Sequence, residues 1–311
     1  MTTSFKLPIK KGSIITGKWK NGQYRVERLL GEGANGSVYL VSKGWQSYAL
    51  KMGASSIDLQ SEINALKALS GDDSSRRSYL MDVDDWITPQ GKEVPFYTMR
   101  YVKGLNMANY IAQHGADWFP LLGLNLLRSL GELHRERWIF GDLKLENIIV
   151  GEYGEVDLID FGGATPFGKG VKQFTEIYDR GYWNEGSRSA DAAYDLFSFG
   201  VLCLQVFAPR KLAQLSKELL PQTRSAEQLI ELAREIPQLA PYRKWLEQAF
   251  DGGFSHGKEA ASAWRAITHQ RKPTVKNTAT PRWLKVMIAI SIVSLCITAS
   301  LYALDYTGLL R

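Results

Sequence analysis

Apolar and polar side chains alternate along residues 24–30, 37–41 and 46–52, with glycines punctuating the intervals. A period of two belongs to strands with one buried face, so these stretches predict three consecutive antiparallel strands, the first two joined by a glycine-rich loop. Over residues 57–69 the spacing becomes helical: Ile57, Ile63, Leu66 and Leu69 stand among polar neighbours and predict an amphipathic helix. Residues 95–102 predict a further strand. Beyond Trp118 the helical period takes over, with Leu121, Leu122, Leu124, Leu127 and Leu130 ahead of His134. Two short strands, residues 148–150 and 156–159, flank a turn at Gly151 to Gly154. Helical segments resume over residues 194–207 and continue, less regularly, to about Ala266. The architecture is α+β, first mainly strand and then mainly helix. Residues 272–281 lack periodicity and contain two prolines, which predicts a flexible linker.

The 311 residues, 45% of them hydrophobic, suffice for one large domain or two modest ones. Cys203 and Cys296 lie in apolar runs without metal-ligand spacing, so neither a disulfide framework nor a zinc site is expected. Charge becomes informative by position. Residues 1–255 carry thirty basic and thirty acidic side chains. Residues 256–285 set Lys258, Arg265, Arg271, Lys272, Lys276, Arg282 and Lys285 against Glu259 alone, and the whole net charge of +6 sits there.

The uncharged run of 19 residues from Val286 to Leu304 would span about 28 Å as a helix, the thickness of a bilayer core. A buried C-terminal helix would show a polar stripe, and only scattered Ser, Thr and Tyr occur here. The run is therefore expected to be a transmembrane helix. With basic residues crowding its N-terminal side, the positive-inside rule places the large domain in the cytosol. The N-terminus has lysines but no continuous apolar stretch and does not resemble a secretory signal. The expected organisation is an extension (1–23), a large domain (24–270, dividing near 101/102), a basic linker (271–285), the span (286–304) and a short tail outside (305–311).

The loop Gly31-Glu32-Gly33-Ala34-Asn35-Gly36-Ser37-Val38 places glycines where absent side chains let backbone N–H groups approach phosphate oxygens. A hairpin turn would use glycines in the same way, but a dinucleotide fold would require a helix directly afterwards, where a strand is predicted. Lys51 closes the apolar run Tyr48-Ala49-Leu50-Lys51. Unless it faces solvent, its ammonium needs partners; polyphosphate oxygens and the carboxylate of Glu62 on the predicted helix would supply them.

The strongest local pattern is Phe140-Gly141-Asp142-Leu143-Lys144-Leu145-Glu146-Asn147, followed eighteen residues after Asp142 by Asp160-Phe161-Gly162. Asp160 and Asn147 suit Mg²⁺, a hard cation that shares oxygen ligands with substrate phosphates. Asp142 can orient a hydroxyl and accept its proton, and Lys144 can offset charge on a transferred phosphoryl group. Each piece alone is also ordinary turn chemistry.

In the order glycine loop, Ala49-x-Lys51, Glu62, Asp142-x-Lys144-x-x-Asn147 and Asp160-Phe-Gly, the sequence resembles the Hanks-type protein kinases over roughly residues 20–270. The resemblance implies a two-lobed fold, a small β-rich N-lobe and a larger helical C-lobe. It also implies ATP with Mg²⁺ or Mn²⁺ and transfer of the γ-phosphoryl group to protein hydroxyls. By that resemblance Gly31, Gly33, Gly36, Val38 and Ala49 surround the nucleotide, and Lys51, paired with Glu62, holds the α- and β-phosphates. Asp142 is the catalytic base, Asn147 and Asp160 bind metal, and Lys144 carries the serine/threonine signature. Met99 takes the gatekeeper position, the Val102 backbone faces adenine, and Asp195 is the structural aspartate of the central C-lobe helix.

Three departures stand out. His-Arg-Asp of the family is Phe140-Gly141-Asp142 here, which removes the arginine that receives a phosphorylated activation loop, so activity is expected not to depend on loop phosphate through that contact. Ala-Pro-Glu is reduced to Tyr182-Trp183-Asn184-Glu185, which puts substrate docking in question. Lys51 and Glu62 are only eleven residues apart. Gly141-Asp142-Leu143 also resembles aminoglycoside and choline kinases, and a pseudokinase scaffold is a further alternative. Thr165, Thr175, Thr274, Thr278 and Thr280 are candidate autophosphorylation sites. A single terminal span resembles the small membrane kinases of spore-forming bacteria, for which the resemblance implies DNA-responsive regulation. On that reading a flexible basic segment containing Trp264, with Arg265, Arg271, Lys272, Lys276, Arg282 and Lys285, contacts DNA or anionic lipid. Protein substrates are implied, and a homodimer is left open.

Overall fold

The alternation between residues 24 and 52 folds into a sheet because Tyr24, Val26, Val41 and Leu50 share one buried face. The computed structural model describes residues 8–33, 36–53, 56–70, 79–172, 174–270 and 282–306. Strands β1 (Ile14–Thr16), β2 (Gln23–Gly33), β3 (Gly36–Lys43), β4 (Gln46–Met52), β5 (Leu80–Ile87) and β6 (Glu93–Arg100) form one antiparallel sheet in the order β1-β2-β3-β4-β6-β5. Helix α1 (Ser56–Ser70) buries Leu59, Ile63 and Leu66 in the same apolar cluster as Tyr97 of β6.

Sequence periodicity missed β5, whose run Leu80-Met-Asp-Val-Asp-Asp-Trp-Ile87 reads as a loop because of its three aspartates. Their carboxylates are occupied. Asp84 accepts the backbone N–H groups of Trp19 and Lys20, each at 2.9 Å, and Asp82 accepts the Tyr24 hydroxyl at 2.7 Å. Gly17 is required in the turn above, since a Cβ there would stand 2.1 Å from Asp84 Oδ2.

The second lobe opens with β7 (Leu105–Asn106), α2 (Met107–His114) and α3 (Phe119–Arg135). Short strands β8 (Trp138–Ile139), β9 (Ile148–Val150), β10 (Val156–Leu158) and β11 (Thr165–Pro166) follow, pairing as β10-β9-β7 and β11-β8. They carry the catalytic-loop and Asp160 segments between them. Helix α4 (Ala192–Phe207) is buried on nearly all sides from Ala192 to Leu204 and is the axis around which α5 (Pro209–Glu218), α6 (Ala226–Glu235), α7 (Arg243–Phe250) and α8 (Gly257–Gln270) are placed.

Helix α8 corrects one expectation. Trp264 is not part of a flexible DNA-contacting segment; it is fully buried, stacked on Tyr242 at 4.0 Å and edge-on to Phe199 and Trp245 at 5.2 Å each. Its Nε1 donates to Pro120 O at 2.9 Å. Gly123 of α3 makes room, because a Cβ there would meet the indole at 2.9 Å. Arg265, the next residue, is exposed.

Residues 1–268 form one compact unit and residues 269–311 a second. The second unit contains α9 (Arg282–Tyr306, 25 residues), whose shorter apolar part is Val286–Tyr302. Its large apolar side chains are exposed, Leu295 at 71% and Ile288 at 53%. Among the described residues no single helix is long and apolar enough to cross a membrane. Arg271, Lys272, Lys276, Thr274, Thr278 and Thr280 lie outside the described residues, as do the side chains of Arg282 and Lys285.

Trp264→Ala, which removes a fully buried indole, is expected to destabilise the domain by about 3–5 kcal/mol, measured as a lower midpoint in chemical denaturation.

Candidate active site

The β2–β3 hairpin carries the glycine loop to its tip, where Gly31 lies opposite Val38 and Gly33 opposite Gly36. Gly36 has φ +143, and a Cβ there would come within 2.0 Å of Met52 O, so only glycine fits. A Cβ at Gly31 or Gly33 would meet nothing within 4 Å: those glycines border open space. Strand register then aligns the remaining N-lobe positions. Val38 faces Lys51 across β3–β4, and across β4–β6 Ala49 pairs with Met99 and Lys51 with Tyr97. Val102, two residues past the end of β6, is half-buried.

Lys51 is buried, with Nζ 2.7 Å from the Glu62 carboxylate and 2.9 Å from Asp160 Oδ1. The eleven-residue interval is therefore long enough for the pair to close. Burial opposes the ammonium charge, yet Asp160 and Glu62 together hold the Lys51 pKa above the ordinary lysine value. Burial likewise opposes the Asp160 charge, but Lys51 brings its pKa below the usual carboxylate value. Glu62 is shifted the other way: burial raises it, and a cation shared with Asp160 compensates only in part.

Sequence reasoning missed a fourth member. The fully buried Tyr97 donates its hydroxyl to Glu62 Oε2 at 2.8 Å, and burial beside that carboxylate pushes the phenol well above its ordinary value, keeping it a donor. The only sequence signal was a tyrosine on the buried face of a strand opposite Lys51.

The catalytic-loop residues converge on Asp142. Lys144 Nζ donates to its Oδ2 at 2.7 Å, and Asn147 Nδ2 donates to its backbone oxygen at 2.9 Å, leaving the Asn147 amide oxygen as the acceptor suited to a cation. Thr175 Oγ1 donates to Asp142 Oδ1 at 2.8 Å. Of the two loop threonines expected as candidate phosphorylation sites, Thr175 is half-buried, whereas Thr165 is fully buried with its hydroxyl on Gly163 O at 2.9 Å, against the exposure expected of it. An alanine at either position would disturb this packing and could not report on loop phosphate.

The loop backbone is fixed from beneath. Asp195, fully buried on α4, accepts the N–H groups of Phe140 and Gly141 at 2.8 and 2.9 Å. His134 Nε2 lies 3.0 Å from the same carboxylate, and its Nδ1 accepts Gly257 N–H at 3.0 Å, so the ring proton is on Nε2. Phe140, where the family carries histidine, packs edge-on against Phe161 at 5.5 Å. Gly141, where the family carries arginine, has φ +81, and a Cβ would stand 2.3 Å from Gly163 O.

The stretch beyond Thr175 is pinned by its own charges. Arg180 bonds both oxygens of Asp191 at 2.7 and 2.8 Å, while buried Asp179 accepts Arg188 Nε at 2.7 Å and the Tyr194 hydroxyl at 2.9 Å. Glu185, in the eroded motif, accepts Ala226 N–H at 2.6 Å at the start of α6. The motif is degraded in sequence and still docked.

A protein kinase domain model matches residues 24–269. Over 260 residues the chain is 38% identical to serine/threonine-protein kinase YabT of Bacillus subtilis, covering 83% of this chain and 75% of that one. It is 24% identical over 158 residues to PrkC of the same organism, spanning 24% of that longer protein. Among solved structures, vaccinia related kinase 3 superposes with a TM-score of 0.61 at 16% identity, covering 87% of this chain and 92% of that one. The Mycobacterium tuberculosis PknI kinase domain gives 0.57 at 18% identity, covering 84% and 100%. The chain belongs to the protein kinase family. Within it, this is a bacterial Hanks-type kinase resembling YabT.

Tyr97→Phe keeps the ring and deletes one hydrogen bond to a charged partner, an interaction worth about 1.5–3 kcal/mol. It is expected to lower kcat/KM for ATP about tenfold or more and the melting temperature by several degrees, checked by steady-state phosphotransfer beside a thermal melt.

Proposed function

We propose that this serine/threonine protein kinase transfers the γ-phosphoryl group of ATP through the residues gathered around Lys51 and Asp142. The observation carrying that reading is the buried Lys51, bonded at once to Glu62 on α1 and Asp160 of the other lobe. Lys51 is the cation for the α- and β-phosphates, and Glu62, steadied by Tyr97, holds it in line. Backbone N–H groups of the glycine loop cover the phosphates, Ala49 and Val38 border the adenine with Met99 behind them, and the Val102 backbone meets its edge.

Asp142 orients the substrate hydroxyl and takes its proton as the oxygen attacks the γ-phosphorus and the bond to the β-phosphate oxygen breaks, releasing ADP. Lys144, already 2.7 Å from Asp142, compensates the charge on the moving phosphoryl group. The residues fit a divalent cation. Asp160 and the Asn147 amide oxygen would hold it, being hard oxygen donors of the kind Mg²⁺ takes. When bound, the ion screens the negative charge of the transferred group.

We further propose that α9 inserts in a membrane with the kinase domain on the cytosolic side. Support comes from its continuous 25-residue helix, its exposed apolar side chains and the basic residues preceding it. The surplus charge of residues 271–285, with Arg265, gives a polyanion-binding segment, and duplex DNA is the proposed regulator.

Lys51→Ala and Asp142→Asn are each expected to reduce transfer of label from ATP to protein serine or threonine by about 10²–10⁴-fold. Wild-type label on small molecules alone would reject the protein-kinase reading. The full chain is expected to remain with membranes after an alkaline wash and residues 1–270 to stay in solution. Duplex DNA should bind with a salt dependence that flattens when Arg271, Lys272 and Lys276 are changed to Gln; an unchanged slope would remove the DNA assignment from that segment.

A further inference from the structure

Among the described residues two ion pairs cross from the N-lobe to the C-lobe, and one of them, Lys51 with Asp160, belongs to the phosphate site. The other joins Arg100, the last residue of β6, to Asp157 in the middle of β10, Nη2 to Oδ1 at 2.6 Å. Asp157 is buried and Arg100 half-buried. A carboxylate taken out of water needs compensation, and here a cation from the opposite lobe contributes it. Arg100 Nε is buried without a hydrogen-bond partner among the described residues, a cost that the bond to Asp157 offsets.

Asp157 stands where it can transmit position. It lies opposite Ile149 in the β9–β10 ladder, and Asp160 follows on the same segment. Ile159, between the two acids, donates its N–H to Asn147 O at 2.9 Å, so both expected metal ligands are tied to this ribbon. On the N-lobe side the two cations share one ladder, Arg100 facing Tyr48 and Lys51 facing Tyr97 across β4–β6. The far end of the linker between the lobes meets the same ribbon: a Cβ on Gly104 would stand 2.3 Å from Val150 O, and Leu105 pairs with Val150 across β7–β9. Residues 101–104, with Val102 among them, therefore run between two attachments to the β9–β10 pair.

We propose that Arg100 is a positioning residue for phosphoryl transfer: through Asp157 it locks the linker to the strand that leads to Asp160, so that the adenine edge and the metal ligand keep a fixed spacing before nucleotide arrives. A single attachment, Lys51 to Asp160, leaves the lobes free to turn about it. A second, displaced along the same two segments, removes that rotation. Bound ATP bridges the lobes by itself, so the Arg100 strut acts on the free site and on its opening. Its effect falls on nucleotide affinity and ADP release rather than on the transfer step. The inference rests on the ATP reading of the site proposed above.

The test uses the full chain in neutral detergent with Mg²⁺. Stopped-flow displacement of N-methylanthraniloyl-ADP gives the dissociation rate, and phosphate transfer over a range of labelled ATP concentrations gives KM and kcat. Arg100→Gln and Asp157→Asn are each expected to raise the ADP dissociation rate and the KM for ATP about fivefold or more, while kcat does not fall. The double variant is expected to match the stronger single variant within about twofold, because both changes break one bond. Arg100→Lys keeps the charge and should recover at least half of the loss seen with glutamine. Lys211→Gln, which breaks an exposed pair with Glu235, is the control and should change neither quantity. A lower melting temperature with unchanged KM and ADP dissociation would make Arg100 merely structural and overturn the proposal. Single effects that multiply in the double variant, or a loss equal in the lysine and glutamine variants, would overturn it as well. Should Asp157→Asn not fold, the two variants at Arg100 decide the matter. A wild-type chain that does not bind the ADP probe would refute the ATP reading itself, and the inference with it, whereas wild-type binding with unaltered variants would refute the inference alone.

Discussion

One ammonium is shared between two carboxylates that arrive from different parts of the fold, and the architecture around the site is arranged to make that sharing possible. Lys51 comes from a central strand, Glu62 from the helix packed on the sheet, and Asp160 from the segment after β10 in the other lobe. A charge buried this far from water is tolerated only with partners in place, so the strand, the helix and the second lobe must hold a common geometry. Asp160 contributes by adopting φ +62, a backbone conformation that aspartate accepts more readily than most side chains. Tyr97 adds a neutral donor to the carboxylate that the shared cation only partly satisfies. An uncharged hydrogen bond from the strand side thus supports the helix without adding a further buried charge.

The catalytic loop answers to a second carboxylate, Asp195, which has no part in the chemistry. It gathers two backbone N–H groups and an imidazole into the centre of the C-lobe, so the position of Asp142 is set by the most deeply buried helix of the domain. The segment after Thr175 is organised on the same principle, by Arg180 with Asp191 and Arg188 with Asp179. These pairs occupy the acids locally, and the ordering is built from residues the chain carries permanently.

Much of this was readable from residue order. Lys51, Asp142, Asn147 and Asp160 were singled out by the joint order of their motifs, since each piece alone is also ordinary turn or surface chemistry. The helix carrying Glu62 showed its period directly. What escaped notice depended on partners remote in sequence. The aspartates of β5 look like loop residues until Trp19, Lys20 and Tyr24 supply their hydrogen bonds. The hydroxyls of Tyr97 and Thr175 acquire meaning only when folding brings Glu62 and Asp142 within reach, and Trp264 in a basic stretch gives no local sign that it is a core residue. Pattern reveals which side chains are chemically unusual, while their pairings across the fold require coordinates.

The contact between Gly141 and Gly163 also bears on how this lineage can change. At the position where the family carries arginine, Gly141 takes φ +81 and its backbone closes against the Gly163 carbonyl. A single codon change to arginine would therefore introduce a clash before it introduced a phosphate receptor. The receptor would come only together with a shift of the Gly163 backbone, so two places in the chain must change to gain one contact.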